Sequence, residues 1–225
     1  MTGRQTATEE SDSKADATRE RIVQAAIRLF SQKGYRGTSM GDLQKAVGLQ
    51  RGGLYHHIAN KEEILYDICR TRMVALVADT HRIMASEADP IKRTQLLGRA
   101  WLREIAAHRE AWVILQHDST SLNAERRAEL RAGRDDITRC WMAVIHDGAA
   151  SGQMRRIHPI ALWALLGMFQ YSALWFNSSG PLTADNIADV FVDLFLHGAG
   201  GDNLDLPRLT EPVASFSTRW FDPAA

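Results

Sequence analysis

The stretch Thr38 to Lys61 reads TSMGDLQKAVGLQRGGLYHHIANK, and its pattern predicts two short helices joined by a tight turn. Ser39 can cap the first helix, with Asp42 three residues later as the reciprocal acceptor. Gly48 ends that helix, because glycine adopts a left-handed backbone without a Cβ penalty. Residues 51–58 form the second helix. This is the layout of a helix-turn-helix, in which the second helix lies in the major groove of DNA.

The second helix carries hydrogen-bond donors and no carboxylate between Gln50 and Asn60. A surface that contacts phosphates and base edges requires donors and is weakened by anions. The DNA contacts expected from this pattern are Arg51, Tyr55, His56 and Lys61.

Three strings of this region resemble, in order and spacing, the DNA-binding segment of TetR-type repressors. The resemblance covers about residues 18–72 and rests on GYRGTSM at 34–40, VGLQRGGLYHHI at 47–58 and NKEEIL at 60–65.

The resemblance implies that further residues line the DNA, namely Thr38, Ser39, Gln50 and Gly53. The chain departs from the family at Gln50, where a serine or threonine cap is usual, and at Ile58, where phenylalanine is usual. The first departure weakens the local cap, and the second is an exchange of core residues.

Basic charge is concentrated around the helix-turn-helix although the whole chain has a formal net charge of zero. Residues 18–72 hold ten Lys and Arg against five Asp and Glu, whereas residues 73–225 have a net charge of −3 and residues 1–17 of −2. This distribution is typical of a DNA-binding module.

Composition indicates a soluble protein, since 45% of the 225 residues are hydrophobic and 24% are charged. The chain has no run of about 18 apolar residues and no apolar signal region, so we expect a cytoplasmic protein without a membrane partner. Cys69 and Cys140 are expected to be small core residues in a reducing compartment.

Helical periodicity predicts an all-α fold of about nine helices, with no strand pattern and no internal repeat. We expect a three-helix DNA-binding domain followed by a helical effector-binding and dimerisation domain. The predicted division is a disordered arm at 1–17, the helix-turn-helix domain at 18–65, the helical domain at 66–199 and an irregular tail at 200–225.

The last two predicted helices are apolar over a wide arc, as expected for a core or for a contact with a second subunit. TetR-type proteins dimerise through their last two helices, so the resemblance implies a homodimer. The interface residues expected on this basis are Trp163, Leu174, Trp175, Val190 and Leu194.

Aromatic and thioether side chains of the second domain suit a bulky apolar effector, although each of them also suits a plain core. The predicted lining residues are Trp101, Trp112, Trp141, Met142, Met168, Phe169 and Tyr171. The string LWFNSSGPLTADNIAD at 174–189 resembles TetR-type regulators of lipid and sterol-ring catabolism. Because members of that group often respond to acyl-CoA thioesters, the resemblance implies such an effector.

The chain lacks the Glu-x-x-His pair, the HExxH motif, the glycine-rich phosphate loop and the GxSxG elbow. We therefore predict no catalytic site, cofactor or metal. The predicted function is a homodimeric repressor that binds double-stranded palindromic operator DNA and is released by its effector. One alternative is a TetR-like protein controlled by a protein partner, and another is an α-helical dimer with a catalytic site built from scattered residues.

Overall fold

The computed structural model describes residues 3–198, with side chains from residue 15 onward. This part of the chain contains nine α-helices, one short 3-10 turn and no strand, so the all-α prediction is confirmed. The helices are α1 (Gly3–Gly37), α2 (Met40–Val47), α3 (Arg51–His57), α4 (Lys61–Ser86), α5 (Pro90–Ala107), α6 (Arg109–Asp118), α7 (Ala124–Ala150), α8 (Pro159–Trp175) and α9 (Ala184–His197).

The first helix begins earlier than the sequence predicted. The backbone of residues 3–17 is helical in the structure, where we expected a disordered arm. Residues 3–17 are polar and lack an apolar period, so the sequence pattern did not indicate this extension. The helix is interrupted at Gly34, which has a non-helical backbone (φ 73°, ψ 160°). The predicted tail at 200–225 lies outside the described residues.

The caps of the helix-turn-helix form as the sequence predicted. The Ser39 hydroxyl oxygen accepts a hydrogen bond from the Asp42 N–H (3.1 Å), and the Asp42 carboxylate accepts one from the Ser39 N–H (2.9 Å). The hydrogen bonds from Ser39 lower the pKa of Asp42 to about 2. Gly48 ends α2 in the left-handed conformation (φ 70°).

The later helix starts are also local sequence features. The Asn60 side chain accepts a hydrogen bond from the Glu63 N–H (2.9 Å) and so caps α4. The Glu63 carboxylate accepts a hydrogen bond from the Ala59 N–H (2.7 Å). Asp89 caps α5, and Thr183 caps α9 within a complete capping box.

The helices form two compact units whose membership is not contiguous in sequence. The first unit holds the described residues up to Thr71 together with Glu110–Arg127. The second holds Arg72–Arg109 and the described residues from Ala128 onward. The first unit therefore contains α6, which the sequence analysis placed in the helical domain, and α4 begins in the first unit and ends in the second.

In the first unit, α1 packs against α2 and α3 around a core that includes Ile22, Phe30, Leu43 and Leu54. The segment after α6 is tied to the start of α4. The Glu62 carboxylate accepts hydrogen bonds from the Asn123 N–H (3.1 Å) and from Arg126 (3.3 Å). The Arg126 guanidinium also lies 4.8 Å from the centre of the Tyr66 ring.

In the second unit, α5, α8 and α9 pack against one another. Two ion pairs join α5 to α9: Arg99 binds Asp189 through two hydrogen bonds (2.7 and 2.9 Å), and Arg103 binds Asp185 in the same way (2.6 and 2.5 Å). Such bidentate pairs fix the orientation of both side chains as well as their distance.

None of the described helices is both long enough and apolar enough to cross a membrane.

Candidate DNA interface and effector site

The predicted recognition helix α3 has seven residues, and only Leu54 among them is fully buried. Its C-terminal end is held by Arg19 of α1, whose guanidinium donates a 2.6 Å hydrogen bond to the carbonyl oxygen of His57. The same guanidinium pairs with Glu63 (2.9 Å) and with Asp67 of α4. One side chain therefore fixes α3 between the two longer helices of the first unit.

Five of the predicted DNA contacts are exposed on or beside α3: Gln50, Arg51, Gly53, Tyr55 and His56. The Arg51 guanidinium lies 5.8 Å from the centre of the Tyr55 ring, one helical turn away. A Cβ atom built on Gly53 would meet none of the described atoms within 4 Å. The backbone of α3 is therefore open at Gly53, where the absence of a side chain allows another surface to approach closely.

The loop between α1 and α2 contains two expected contacts that the structure uses differently. Thr38 is buried, with 1% of its surface exposed, and its hydroxyl lies within hydrogen-bond distance of the carbonyl oxygens of Gly34 (3.0 Å) and Leu29 (3.3 Å). Its side chain is thus turned into the protein and does not reach a DNA surface. Ser39 is exposed, but its side chain serves the α2 cap.

Lys61 supports this loop from the start of α4. Its ammonium nitrogen donates hydrogen bonds to the carbonyl oxygens of Tyr35 (2.7 Å) and Thr38 (2.6 Å), and it lies 4.2 Å from the centre of the Tyr35 ring. Burial lowers the pKa of Lys61, while the nearby Asp118 carboxylate opposes that shift. In this arrangement Lys61 positions the loop with two of its three ammonium donors, and the expected phosphate contact stays a prediction.

The predicted effector residues divide between the two units. In the second unit, the Trp101 ring stacks on Phe169, and the Trp141 ring also lies against Phe169, both with ring centres 5.7 Å apart. Met142 and Met168 are half-buried in the same unit, whereas Trp112 is buried in the first unit. Tyr171 is 64% exposed and is not part of this core.

Two of these tryptophans carry an unused hydrogen-bond donor. The indole nitrogens of Trp101 and Trp112 are buried and have no acceptor among the described residues. A buried donor without a partner costs about 1–3 kcal/mol. Neither indole N–H is therefore paired within the described part of the chain.

An open cleft of about 340 Å³ lies elsewhere in the second unit. None of the seven predicted effector residues lines it. Its lining residues are Ala106, Arg109, Trp175, Phe176, Asn177 and Ser178. The cleft thus combines a cation, an indole ring and small polar groups.

The predicted interface residues lie on or near an exposed apolar face formed by α8 and α9. Trp175 is 48% exposed, Val190 60% and Leu194 42%, whereas Trp163 and Leu174 are half-buried. Other large apolar side chains, Ile160 and Tyr171, extend the face along α8. We call these exposed residues the α8–α9 face: Ile160, Tyr171, Trp175, Val190 and Leu194.

Two family profiles match the chain, and together they cover both units. The profile described as "Bacterial regulatory proteins, tetR family" matches residues 22–68, which include the helix-turn-helix. The profile described as "Tetracyclin repressor-like, C-terminal domain" matches residues 87–199, half of the chain. The chain belongs to the TetR family. It is therefore a DNA-binding transcriptional regulator and not an enzyme.

Similar proteins support this assignment over most of the chain. The HTH-type transcriptional repressor KstR2 of Mycobacterium tuberculosis is 28% identical over 188 residues, which are 82% of this chain and 94% of that protein. The TetR family regulator PfmR of Thermus thermophilus is 33% identical over 80% of this chain and all of its own, with a TM-score of 0.75. AibR, solved with isovaleryl coenzyme A and operator DNA, is 27% identical over 80% of this chain and 98% of its own, with a TM-score of 0.71.

The sequence analysis missed Arg19, the residue that holds the recognition helix of this TetR-type regulator. Its partners His57, Glu63 and Asp67 lie 38 to 48 residues away along the chain. No short motif links such positions. A single arginine on α1 facing acidic residues of α4 leaves no periodic signal in the sequence.

We predict that Arg51→Ala weakens binding to the operator by about 1–3 kcal/mol and weakens binding to random duplexes much less, because an exposed arginine early in α3 reads base edges. The measurement is a fluorescence-anisotropy titration on an operator selected from random sequences. Arg28→Ala on α1, which is also exposed, removes the same charge and serves as the control. Equal losses on both DNAs would show that Arg51 is not a base reader.

We predict that Lys61→Ala lowers the free energy of unfolding by about 1.5–3 kcal/mol, because two charged hydrogen bonds to the loop are lost. Affinity for operator and random DNA should fall together, since the loop and α2 lose their support. The slope of log affinity against log salt should stay unchanged. A slope reduced by about 1 would instead make Lys61 a direct phosphate contact.

Proposed function

We propose that this chain is a homodimeric repressor that binds a palindromic operator and leaves it when a small apolar effector, an acyl-CoA thioester, binds the second unit. The observation that carries the DNA-binding part is the exposed, donor-rich α3 held by Arg19 in the first unit. The dimer and the effector rest on separate observations, which are taken in turn.

The α8–α9 face supports the dimer. Ile160, Tyr171 and Trp175 share one stripe of α8, because their spacings are multiples of a helical turn, and Val190 and Leu194 share one stripe of α9. Leaving large apolar side chains in water forgoes about 1.5–3 kcal/mol for each, so such a face fits a second copy of the chain.

A dimer also solves the problem of affinity. One recognition helix contacts few base pairs, whereas a two-fold dimer reads two half-sites about one helical turn apart. The two-fold symmetry of the protein is then matched by a palindromic operator. The α8–α9 face suits a two-fold contact, because the apolar residues of one copy would pack against the same apolar residues of the other.

We predict that Val190→Asp converts the dimer to a monomer and lowers operator affinity, because a carboxylate would be buried at the subunit contact. Sedimentation velocity and an operator titration measure the two effects. Val74→Asp is the matched control, since Val74 is 51% exposed on α4 and lies off this face. A dimer that survives Val190→Asp and behaves like the Val74 variant would contradict the assignment of the interface.

The acyl-CoA effector is supported by the chemistry of the second unit. The buried Trp101 N–H has no acceptor among the described residues, and the Trp101 ring stacks on Phe169, so an acyl chain beside these rings would place its carbonyl oxygen near an unpaired donor. The phosphates of coenzyme A need cations, and Arg109 borders the open cleft beside Trp175. AibR, which binds isovaleryl coenzyme A, and KstR2, a ketosteroid regulator, share 27–28% identity with this chain.

Release from DNA requires that the effector bind one state of the dimer more tightly than the other. A coupling of about 1–3 kcal/mol changes the operator affinity about 5- to 150-fold. The helix α4 begins at Lys61 in the first unit and ends at Ser86 in the second, so it is the element through which the two sites are coupled. Repression is lifted when the effector-bound dimer no longer matches the half-site spacing.

We predict that one acyl-CoA thioester raises the melting temperature and releases the operator, while the matching free acid does neither. At 100 times its dissociation constant the ligand should add about 2.7 kcal/mol of stability. Trp101→Phe keeps the ring but removes the N–H, and should weaken binding up to about tenfold.

The screen covers acyl-CoA thioesters, free fatty acids and sterol fragments, each followed by an operator-release assay. If the free acid also stabilises the protein, the acyl group and not coenzyme A is the part of the ligand that the protein recognises. If none of these ligands gives a response, the proposal of an acyl-CoA effector is contradicted and control by a protein partner is favoured.

A further inference from the structure

Three unlike metal-ligating side chains meet on the surface of the second unit. His81 lies on α4, and Asp136 and Cys140 lie on α7. The His81 Nε2 atom is 2.6 Å from the Asp136 Oδ2 atom. One ligand atom from each of the three residues lies within 4.8 Å of the other two.

The local geometry presents these atoms toward one point. Asp136 and Cys140 are four residues apart, so their side chains lie one above the other on the same face of α7. Arg139 donates a 2.9 Å hydrogen bond to the other carboxylate oxygen, Oδ1. Arg139 thereby orients the carboxylate and leaves Oδ2 facing His81.

The donor set matches the preferences of one ion. Imidazole nitrogen, thiolate sulfur and carboxylate oxygen are together typical ligands of Zn²⁺. With bonds of about 2.0–2.3 Å in a tetrahedron, ligand atoms lie roughly 3.3–3.8 Å apart. The donor atoms of His81 and Asp136 would need to separate by less than about 1 Å to admit the ion.

The exposure of the cluster fits a site with three protein ligands. His81 is 55% exposed at its side chain and Asp136 29%, so a water molecule can fill the fourth position. Cys140 is half-buried, whereas Cys69 is fully buried in the first unit. Both thiols were expected to lie in the core, and Cys140 is less deeply buried than that expectation.

We propose that His81, Asp136 and Cys140 bind one Zn²⁺ ion per chain. The bound ion joins the second half of α4 to α7, replaces the hydrogen bond between His81 and Asp136, and releases the thiol proton of Cys140 to solvent. Zn²⁺ thereby stabilises the arrangement of these two helices. The site is independent of the proposed operator and effector, and so is its test.

The test is calorimetric titration of Zn²⁺ into the full chain, without an affinity tag and with Cys140 reduced. We expect one ion per chain and a higher melting temperature. Loss of a residue that only supports a metal ligand lowers metal affinity about 10- to 100-fold. Because His81→Ala, Asp136→Asn and Cys140→Ser each remove a ligand itself, each should weaken Zn²⁺ binding by at least that factor. Co²⁺ should give a thiolate-to-metal absorption band that is absent in Cys140→Ser.

The matched control is His197→Ala. His197 pairs with Asp193 (2.8 Å) on α9 in an exposed histidine–carboxylate contact, and among the described residues no third metal-ligating side chain joins this pair. This variant should bind Zn²⁺ as the unaltered chain does. Binding that persists in all three ligand variants, or a Co²⁺ complex without the thiolate band, would overturn the proposal.

Discussion

The arrangement of the DNA-binding unit depends on one guanidinium group. A helix of seven residues does not hold its shape alone in water, so α3 must be positioned by contacts from other elements. Arg19 supplies the polar part of that support through the His57 carbonyl oxygen and the carboxylates of Glu63 and Asp67. Burial of Leu54 supplies the apolar part. The exposed side chains of α3 can then be used for recognition, because none of them is needed to hold the helix.

The sequence predicted the helices and their caps well, because these are local features. The reciprocal bonds of Ser39 and Asp42 and the left-handed Gly48 involve residues at most three or four positions apart. Short-range hydrogen bonding and backbone sterics decide such features, and they leave a readable pattern. The extension of α1 to Gly3 was missed because residues 3–17 carry no apolar period.

The candidate sites were predicted less completely, because side-chain direction depends on tertiary packing. The aromatic ring of Tyr171 placed it with the predicted effector lining, yet its side chain is exposed on the α8–α9 face. The sequence pattern predicted that Lys61 contacts a phosphate, but it did not reveal that Lys61 also donates to two carbonyl oxygens of the loop. The cluster of His81 with Asp136 and Cys140 joins residues more than fifty positions apart, so spacing rules for metal motifs do not reveal it.

The membership of α6 in the first unit bears on how such proteins are re-engineered. Hybrid regulators are built by exchanging DNA-binding domains. From the sequence, the domain boundary would be placed shortly after the start of α4. In this chain the first unit also includes residues 110–127, which are joined to the start of α4 by the hydrogen bonds of Asn123 and Arg126 to Glu62. A transferred DNA-binding domain that lacks residues 110–127 would lose part of its own packing. A functional chimaera therefore needs an additional pair of crossover points in the gene, so that this second segment is exchanged as well.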